Sequence, residues 1–149
     1  MLRLLYLLHK VYLFFVRPTT LGVRVMMIRD GQVVLVRQTY VPGWFMPGGG
    51  IKRGETFDAA ARREAAEEVG AVLQDIRLLG AYSNFVEWKS DHNIVFLSTD
   101  FTLSPKPDIE IAEVRLFPLD ALPEGLWPGH RTRLEEYRLQ HPSPQFGEW

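Results

Sequence analysis

Between Gly48 and Ala71 the chain reads GGGIKRGETFDAAARREAAEEVGA, and no other stretch limits the fold as strongly. Three consecutive glycines remove side chains where a backbone turns sharply or approaches a ligand closely, so regular structure does not run through them. Thr56 then offers an N-cap hydroxyl, Asp58 an acid in the first turn and Gly70 a stop, which predicts a helix from there to about Val69. On that helix Glu64, Glu67 and Glu68 are spaced i, i+3 and i+4 and project from one face within about a turn. Exposed like charges so placed repel by roughly 0.2–0.5 kcal/mol per pair. A shared divalent cation removes the repulsion, and oxygen-only ligands suit a hard ion, Mg²⁺ or Mn²⁺, that keeps waters and accepts phosphate oxygens. Ala60 and Ala61 are expected on the same face one turn earlier, leaving room for a polyphosphate. Glu55, just before the helix, is a further ligand or an orienting partner for Arg63. Each part alone has an ordinary reading: Glu-rich faces are usually solvated, and glycine runs are usually turns.

The rest of the chain sets bounds. Its 149 residues fit one domain, 1–149, and a formal charge of −1 gives no sign of a bulk nucleic-acid binder. A polyanion must therefore be met by local arrangement, and the expected partner is a small molecule with no nucleic-acid polymer. The absence of cysteine excludes disulfides, thiol catalysis and thiolate metal sites. Residues 1–17 are strongly apolar, but His9 and Lys10 interrupt a stretch already shorter than the ~20 residues that cross a bilayer. They read as a short helix packing on the domain or on a second subunit of a homodimer through Leu4, Leu5, Leu8, Val11, Tyr12 and Phe15. Peripheral membrane attachment is the alternative, and the expected location is the cytoplasm.

Leu21 to Ile28, the turn Asp30-Gly31 and Val33 to Arg37 form an expected hairpin, followed by a Gly/Pro-broken piece extended only at Trp44 to Met46. Ile76 to Phe85 and Ile94 to Thr102 read as strands joined through Glu87 to Asn93. Ser104 to Asp108 reads as a loop, Val114 to Phe117 as a strand, and Leu119 to Leu122 as a helical turn. A last helix spans His130 to Gln140, and 141–149 is expected as a tail, a candidate for disorder. Mixed strands and helices imply α+β or a layered α/β/α sandwich.

The spacing of the glycine–glutamate segment resembles the Nudix box, G-x5-E-x7-R-E-U-x-E-E-x-G-U with U a bulky aliphatic. Gly49, Glu55, Arg63, Glu64, Glu67, Glu68 and Gly70 meet it, whereas Ala65 and Ala71 are small where the family has bulk. Seven fixed positions would match by chance on the order of once in 10⁸ windows. The resemblance implies a loop–helix–loop in a mixed sheet between helices, and hydrolysis of a nucleoside diphosphate linked to another group. It implies Glu64 and Glu68 as principal metal ligands with Glu67 assisting, Arg63 orienting the carboxylates, and the Gly49-Gly50 backbone lining a phosphate site. A non-catalytic nucleotide-binding module is the competing class, and one expected to have lost some of these carboxylates.

Beyond the box the residues speak less clearly. Family members often take a general base from a loop before the last strand, where Glu110 is the first choice, Glu113 the second, and Glu87 and Asp91 further candidates. Trp44, with Phe45 or Tyr40, is a candidate base-stacking surface or simply core. Arg24 and Arg37 are candidates for phosphate or ribose contact, or outward strand charges. The marks of NADH, ADP-ribose and diadenosine polyphosphate enzymes are missing beyond Gly70. With the first strand under way by residue 21, a (deoxy)nucleoside triphosphate is favoured over ADP-ribose or a nucleotide sugar.

Overall fold

Asp30 and Gly31 both take left-handed backbone, with φ of 51° and 72°, and turn the chain between β1 (Thr19–Arg29) and β2 (Gln32–Gln38). The computed structural model describes residues 8, 11, 12, 14–86, 88–105 and 109–149. The predicted hairpin exists, but its pairing ends after Ile28 with Val33 and Arg29 with Gln32. Beyond that the strands part and the Gly/Pro segment enters between them. Val36 and Phe45 exchange backbone hydrogen bonds, each of 2.9 Å, while the amides of Val25 and Val23 donate to the carbonyls of Pro47 and Gly49 at 2.8 and 2.9 Å. The loop is thus hydrogen-bonded into the sheet, which is how so irregular a segment is held still.

Helix α1 (Phe57–Val69) follows, then β3 (Ala71–Leu73), β4 (Arg77–Val86), β5 (Lys89–Ser98), β6 (Phe101–Leu103), β7 (Ile111–Pro118), α2 (Pro128–Arg138) and β8 (Gln145–Glu148). The main sheet runs β7-β2-β1-β5-β4-β8, parallel between β1 and β5 and between β4 and β8, with β3 and β6 paired separately. Central β1 is buried on both faces, hence its near-continuous VRVMMI run. Val23, Val25 and Met27 pack with Ala60, Ala61, Ala65 and Val69 of α1, and Met26 and Ile28 pack with Leu134 of α2. Alternate residues of one strand therefore meet helices on opposite faces, an α/β/α sandwich. Ala65 and Ala71, the two small departures from the box, are buried at 0% and 2% exposure, so small residues are what the helix seat accepts.

Several expectations are corrected. Ala60 and Ala61 face the sheet, fully buried, and do not open space beside the glutamates. The expected Ile94–Thr102 strand is two strands. They are divided because the Asp75 carboxylate accepts from the amides of Thr99 and Asp100 (2.9 and 2.8 Å) and from the Ser98 hydroxyl (2.8 Å), which forces a turn. β5 begins at Lys89, so Asp91 lies on a strand, where it accepts a hydrogen bond from Thr20 at 2.5 Å. Leu119 to Leu122 is a non-helical turn. The expected tail pairs with β4, from Gly80 with Gln145 to Ser83 with Glu148, and Trp149 packs edge-on against His130. Residues 8, 11, 12 and 14–16 are helical, but Val11, Tyr12 and Phe15 are 47%, 52% and 76% exposed, so this helix is not buried against the domain. Leu4, Leu5, Glu87 and residues 106–108 of the expected loop lie outside the described residues.

Candidate active site

Gly48, at φ 146°, passes so close to β1 that a Cβ there would lie 2.1 Å from the Val23 carbonyl oxygen. Only glycine fits, and its amide is left aimed at α1, where it donates to Glu68 Oε2 at 2.9 Å. Arg24, from the neighbouring strand, donates to the Gly48 carbonyl at 2.8 Å. A Cβ on Gly49 would lie 2.8 Å from the Glu64 carboxylate. The glycine run is therefore the floor on which two helix carboxylates rest.

Helix α1 presents them because its ends are fixed. Thr56 caps it with a 3.4 Å contact from the Ala59 amide, and Gly70, left-handed at φ 63°, closes it. Arg63 ties the carboxylates together. Its Nε donates to Glu55 Oε1 at 2.7 Å and its Nη2 to Glu55 Oε2 at 2.9 Å and to the Gly50 carbonyl at 3.0 Å. Its Nη1 donates to Glu64 Oε1 at 2.5 Å and Glu67 Oε2 at 3.1 Å. The fork to Glu55, with the Lys52 amide, holds the Glu55 carboxyl down at about 2, and the same hydrogen bond pushes the Arg63 guanidinium further up. Of the two sequence readings of Glu55, the orienting partner of Arg63 is the one realised.

Glu68 differs in character. Burial pushes its carboxyl up to about 7, with Glu64 adding to the rise, against the pull of the Gly48 amide and Arg24. Burial also lowers the Arg24 guanidinium from its usual value, although Glu68, Asp91 and Glu64 surround it with negative charge. Arg24, Glu64, Glu68, Glu110 and the Gly48–Gly50 backbone line one cavity of about 800 Å³, with Tyr40 and Trp127 on its walls. An adjoining cavity of about 370 Å³ adds Glu67 to Glu64, Glu68 and Glu110. Glu110 reaches this place because Thr39 bonds the loop on both sides of it, its amide to the Glu110 carbonyl and its hydroxyl to that of Ile109, each at 2.9 Å. A separate cavity of about 540 Å³ against α2, among Arg77, Tyr82, Arg133 and Tyr137, shares no residue with this site.

Two expected contacts fall elsewhere. Trp44 packs edge-on against Phe117 at 4.8 Å and lies outside the cavity lining, as does Arg37, which pairs with Glu113 at 2.8 Å. Both follow from the part of β2 and the bridge at Trp44 facing the β7 side, where Arg37 and Arg115 flank the indole at 5.9 and 5.5 Å. Phe45 is core, between Trp127 and His130. Glu113 is held by Arg37 and Arg115, and Asp91 by Thr20 and, at 3.8 Å, Lys89. Tyr40, one of the rings named from the sequence, does reach the cavity, and so does Trp127, which stands before Pro128 with no sequence signal beyond that position. Its Nε1 donates to the Pro42 carbonyl at 2.9 Å, which fixes the ring against the loop.

The donor set is all oxygen and suits a hard divalent ion. Among the described residues no three acidic or histidine side chains are arranged to hold a metal as they stand, since Arg63 and the Gly48 amide engage them. A cation held by Glu64 would have to displace Arg63 from its Oε1. Gly49→Ala should push the Glu64 carboxylate off its seat on the loop, because the added methyl would lie 2.8 Å from it, and so disturb any cation it holds. We expect it to raise the Mg²⁺ concentration for half-maximal activity by about 10-fold or more with an unchanged circular dichroism spectrum. An unaltered metal requirement would contradict this.

A model of the NUDIX domain matches residues 18–137. The chain belongs to the Nudix family. It is 40% identical over 67 residues to an RNA pyrophosphohydrolase of Erwinia tasmaniensis and 39% over 66 residues to one of Sodalis glossinidius, covering 45% and 44% of this chain. The matched part is 38% of the length of each of those relatives. Among solved structures, the MutT NUDIX hydrolase of Burkholderia pseudomallei superposes with a TM-score of 0.72 at 26% identity, covering 78% of this chain and 96% of that one. The MutT protein of Methanosarcina mazei Go1 gives 0.73 at 21% identity over 85% and 98%, a likeness of fold. Members of the Nudix family generally use divalent metal ions.

Proposed function

We propose that this chain is a Mg²⁺- or Mn²⁺-dependent hydrolase of the phosphoanhydride bond of a small nucleotide, with a (deoxy)nucleoside triphosphate as favoured substrate. The observation that carries it is the shared lining of Glu64, Glu67, Glu68 and Glu110 with a bare glycine backbone. Glu64 and Glu68 hold the metal with Glu67 assisting, and the Gly49-Gly50 backbone and Arg24 receive phosphate oxygens. When bound, the cation neutralises charge on the phosphates and acidifies water. Arg63 keeps the carboxylates in register through Glu55. Glu110 takes the proton from the attacking water, from a loop pinned by Thr39. Tyr40 and Trp127, 65% and 46% exposed, stand where a base stacks, in place of the Trp44 surface read from the sequence. A cavity of about 800 Å³ is of ordinary size for a nucleotide-sized ligand.

A second reading comes from the relatives called RNA pyrophosphohydrolase: the 5′-triphosphate end of an RNA presents the same anhydride to the same carboxylates. A panel of nucleoside triphosphates, ADP-ribose, a nucleotide sugar and a short 5′-triphosphorylated RNA, with Mg²⁺ or Mn²⁺ and with EDTA, separates these. We expect a triphosphate to lead and EDTA to abolish turnover. ADP-ribose or a nucleotide sugar ahead by about tenfold in kcat/KM, about 1.4 kcal/mol, would overturn the substrate choice. RNA leading by that margin would select the second reading.

A further inference from the structure

Phe14 packs edge-on against Trp88 at 5.2 Å, and the Arg17 guanidinium lies 5.9 Å from the Trp88 ring and 6.0 Å from that of Phe14. This aromatic contact pins the end of the N-terminal helical residues to the tip of the β4–β5 hairpin. Around it the apolar side chains face outward: Leu8, Phe15, Val16, Phe85 and Trp88 are between 52% and 76% exposed. Two elements distant in sequence thus present one apolar, aromatic surface that no described residue of the domain covers. Large apolar side chains left half in water forfeit part of their burial free energy, and patches of this kind usually mark an interaction face.

We propose that this face docks on an anionic lipid surface. Residues 2–16 contain twelve apolar side chains and Arg3, His9 and Lys10, and the first acidic residue of the chain is Asp30. A chain of net charge −1 therefore has a cationic, acid-free end on its most apolar segment, which complements anionic headgroups. At the hairpin tip Lys89 is shared with Asp91 at 3.8 Å, so the cationic excess comes from the N-terminal segment. Tyr12 and Trp88 are of the ring types favoured at the headgroup level, and Phe85 adds apolar area beside them. No described helix is long and apolar enough to cross a membrane, so the face lies on the surface. A second copy would lay one acid-free cationic segment on another, a poorer electrostatic match. The tip also places Val86 and Lys89 in the wall of the catalytic cavity, so a docked molecule holds its cavity mouth beside the headgroups.

The test is flotation of the full chain with phosphatidylcholine vesicles and with vesicles containing about 30% phosphatidylglycerol. We expect binding to the anionic vesicles at least about tenfold stronger than to neutral ones, weakened by salt. Phe15→Glu with Trp88→Glu should abolish binding while leaving hydrolysis of a soluble nucleotide unchanged, which also certifies the fold. Phe15→Glu alone, away from the hairpin, should weaken binding in the same direction. Absence of binding to anionic vesicles would overturn the proposal. A dimer in solution that Phe15→Glu dissociates, without vesicle binding, would assign the face to a second copy.

Discussion

Glu68→Gln is expected to lower kcat by about 10³-fold or more while leaving the fold intact, because it removes an anionic ligand of the proposed cation and keeps the amide-accepting oxygen for Gly48. The same substitution should change how stability depends on pH. A carboxyl raised to about 7 in the folded chain, above its unfolded value, favours folding below the unfolded value. That advantage is lost as pH rises through about 7, where the buried group must ionise. Metal-free protein should therefore be less stable at pH 8 than at pH 5 through this group, by on the order of a few kcal/mol, with a correspondingly lower melting temperature, and Glu68→Gln should flatten that difference. Thermal melts of both forms in EDTA, paired with turnover assays in Mg²⁺, measure the two effects separately. Full activity in the variant would remove Glu68 from the metal site.

Glu110→Gln is expected to lower kcat by about 10²–10⁴-fold with little change in KM, if Glu110 takes the proton from the attacking water. The loop should be undisturbed, since its anchors from Thr39 go to backbone carbonyls and not to the Glu110 side chain. Near-native turnover in Glu110→Gln together with a crippled Glu87→Gln would move the base to Glu87 and leave the metal chemistry as proposed. Glu113 is a weaker rival, because Arg37 and Arg115 already engage its carboxylate.

The helix and its caps were legible because they are local: Thr56, Gly70 and the i, i+3, i+4 glutamates each act within a turn or two. The turn at Asp30-Gly31 was legible for the same reason. What escaped depends on partners far along the chain. The glycine loop enters between β1 and β2 through hydrogen bonds from Val23, Val25 and Val36, and a hairpin signature says nothing of an insertion. Ala60 and Ala61 were misplaced because helical spacing gives relative faces, and only the sheet decides which face is covered. Trp44 and Trp127 exchanged expectations for a similar reason. Adjacency to the glycines suggested the first ring, whereas the parallel bridge from Trp44 to Leu126 brings the second to the cavity.

The parallel pairing of β1 with β5 joins residues as far apart as Thr20 and Asp91, 71 positions along the chain. Closing so long a loop costs entropy before any contact repays it, and pairings of this kind fold slowly. The glycine segment and α1 lie inside that loop, and the glycine segment hydrogen-bonds to β1 itself. A half-folded chain therefore has carboxylates on a helix but no floor beneath them. During refolding, recovery of enzymatic turnover should coincide with completion of the sheet and lag behind recovery of helical signal.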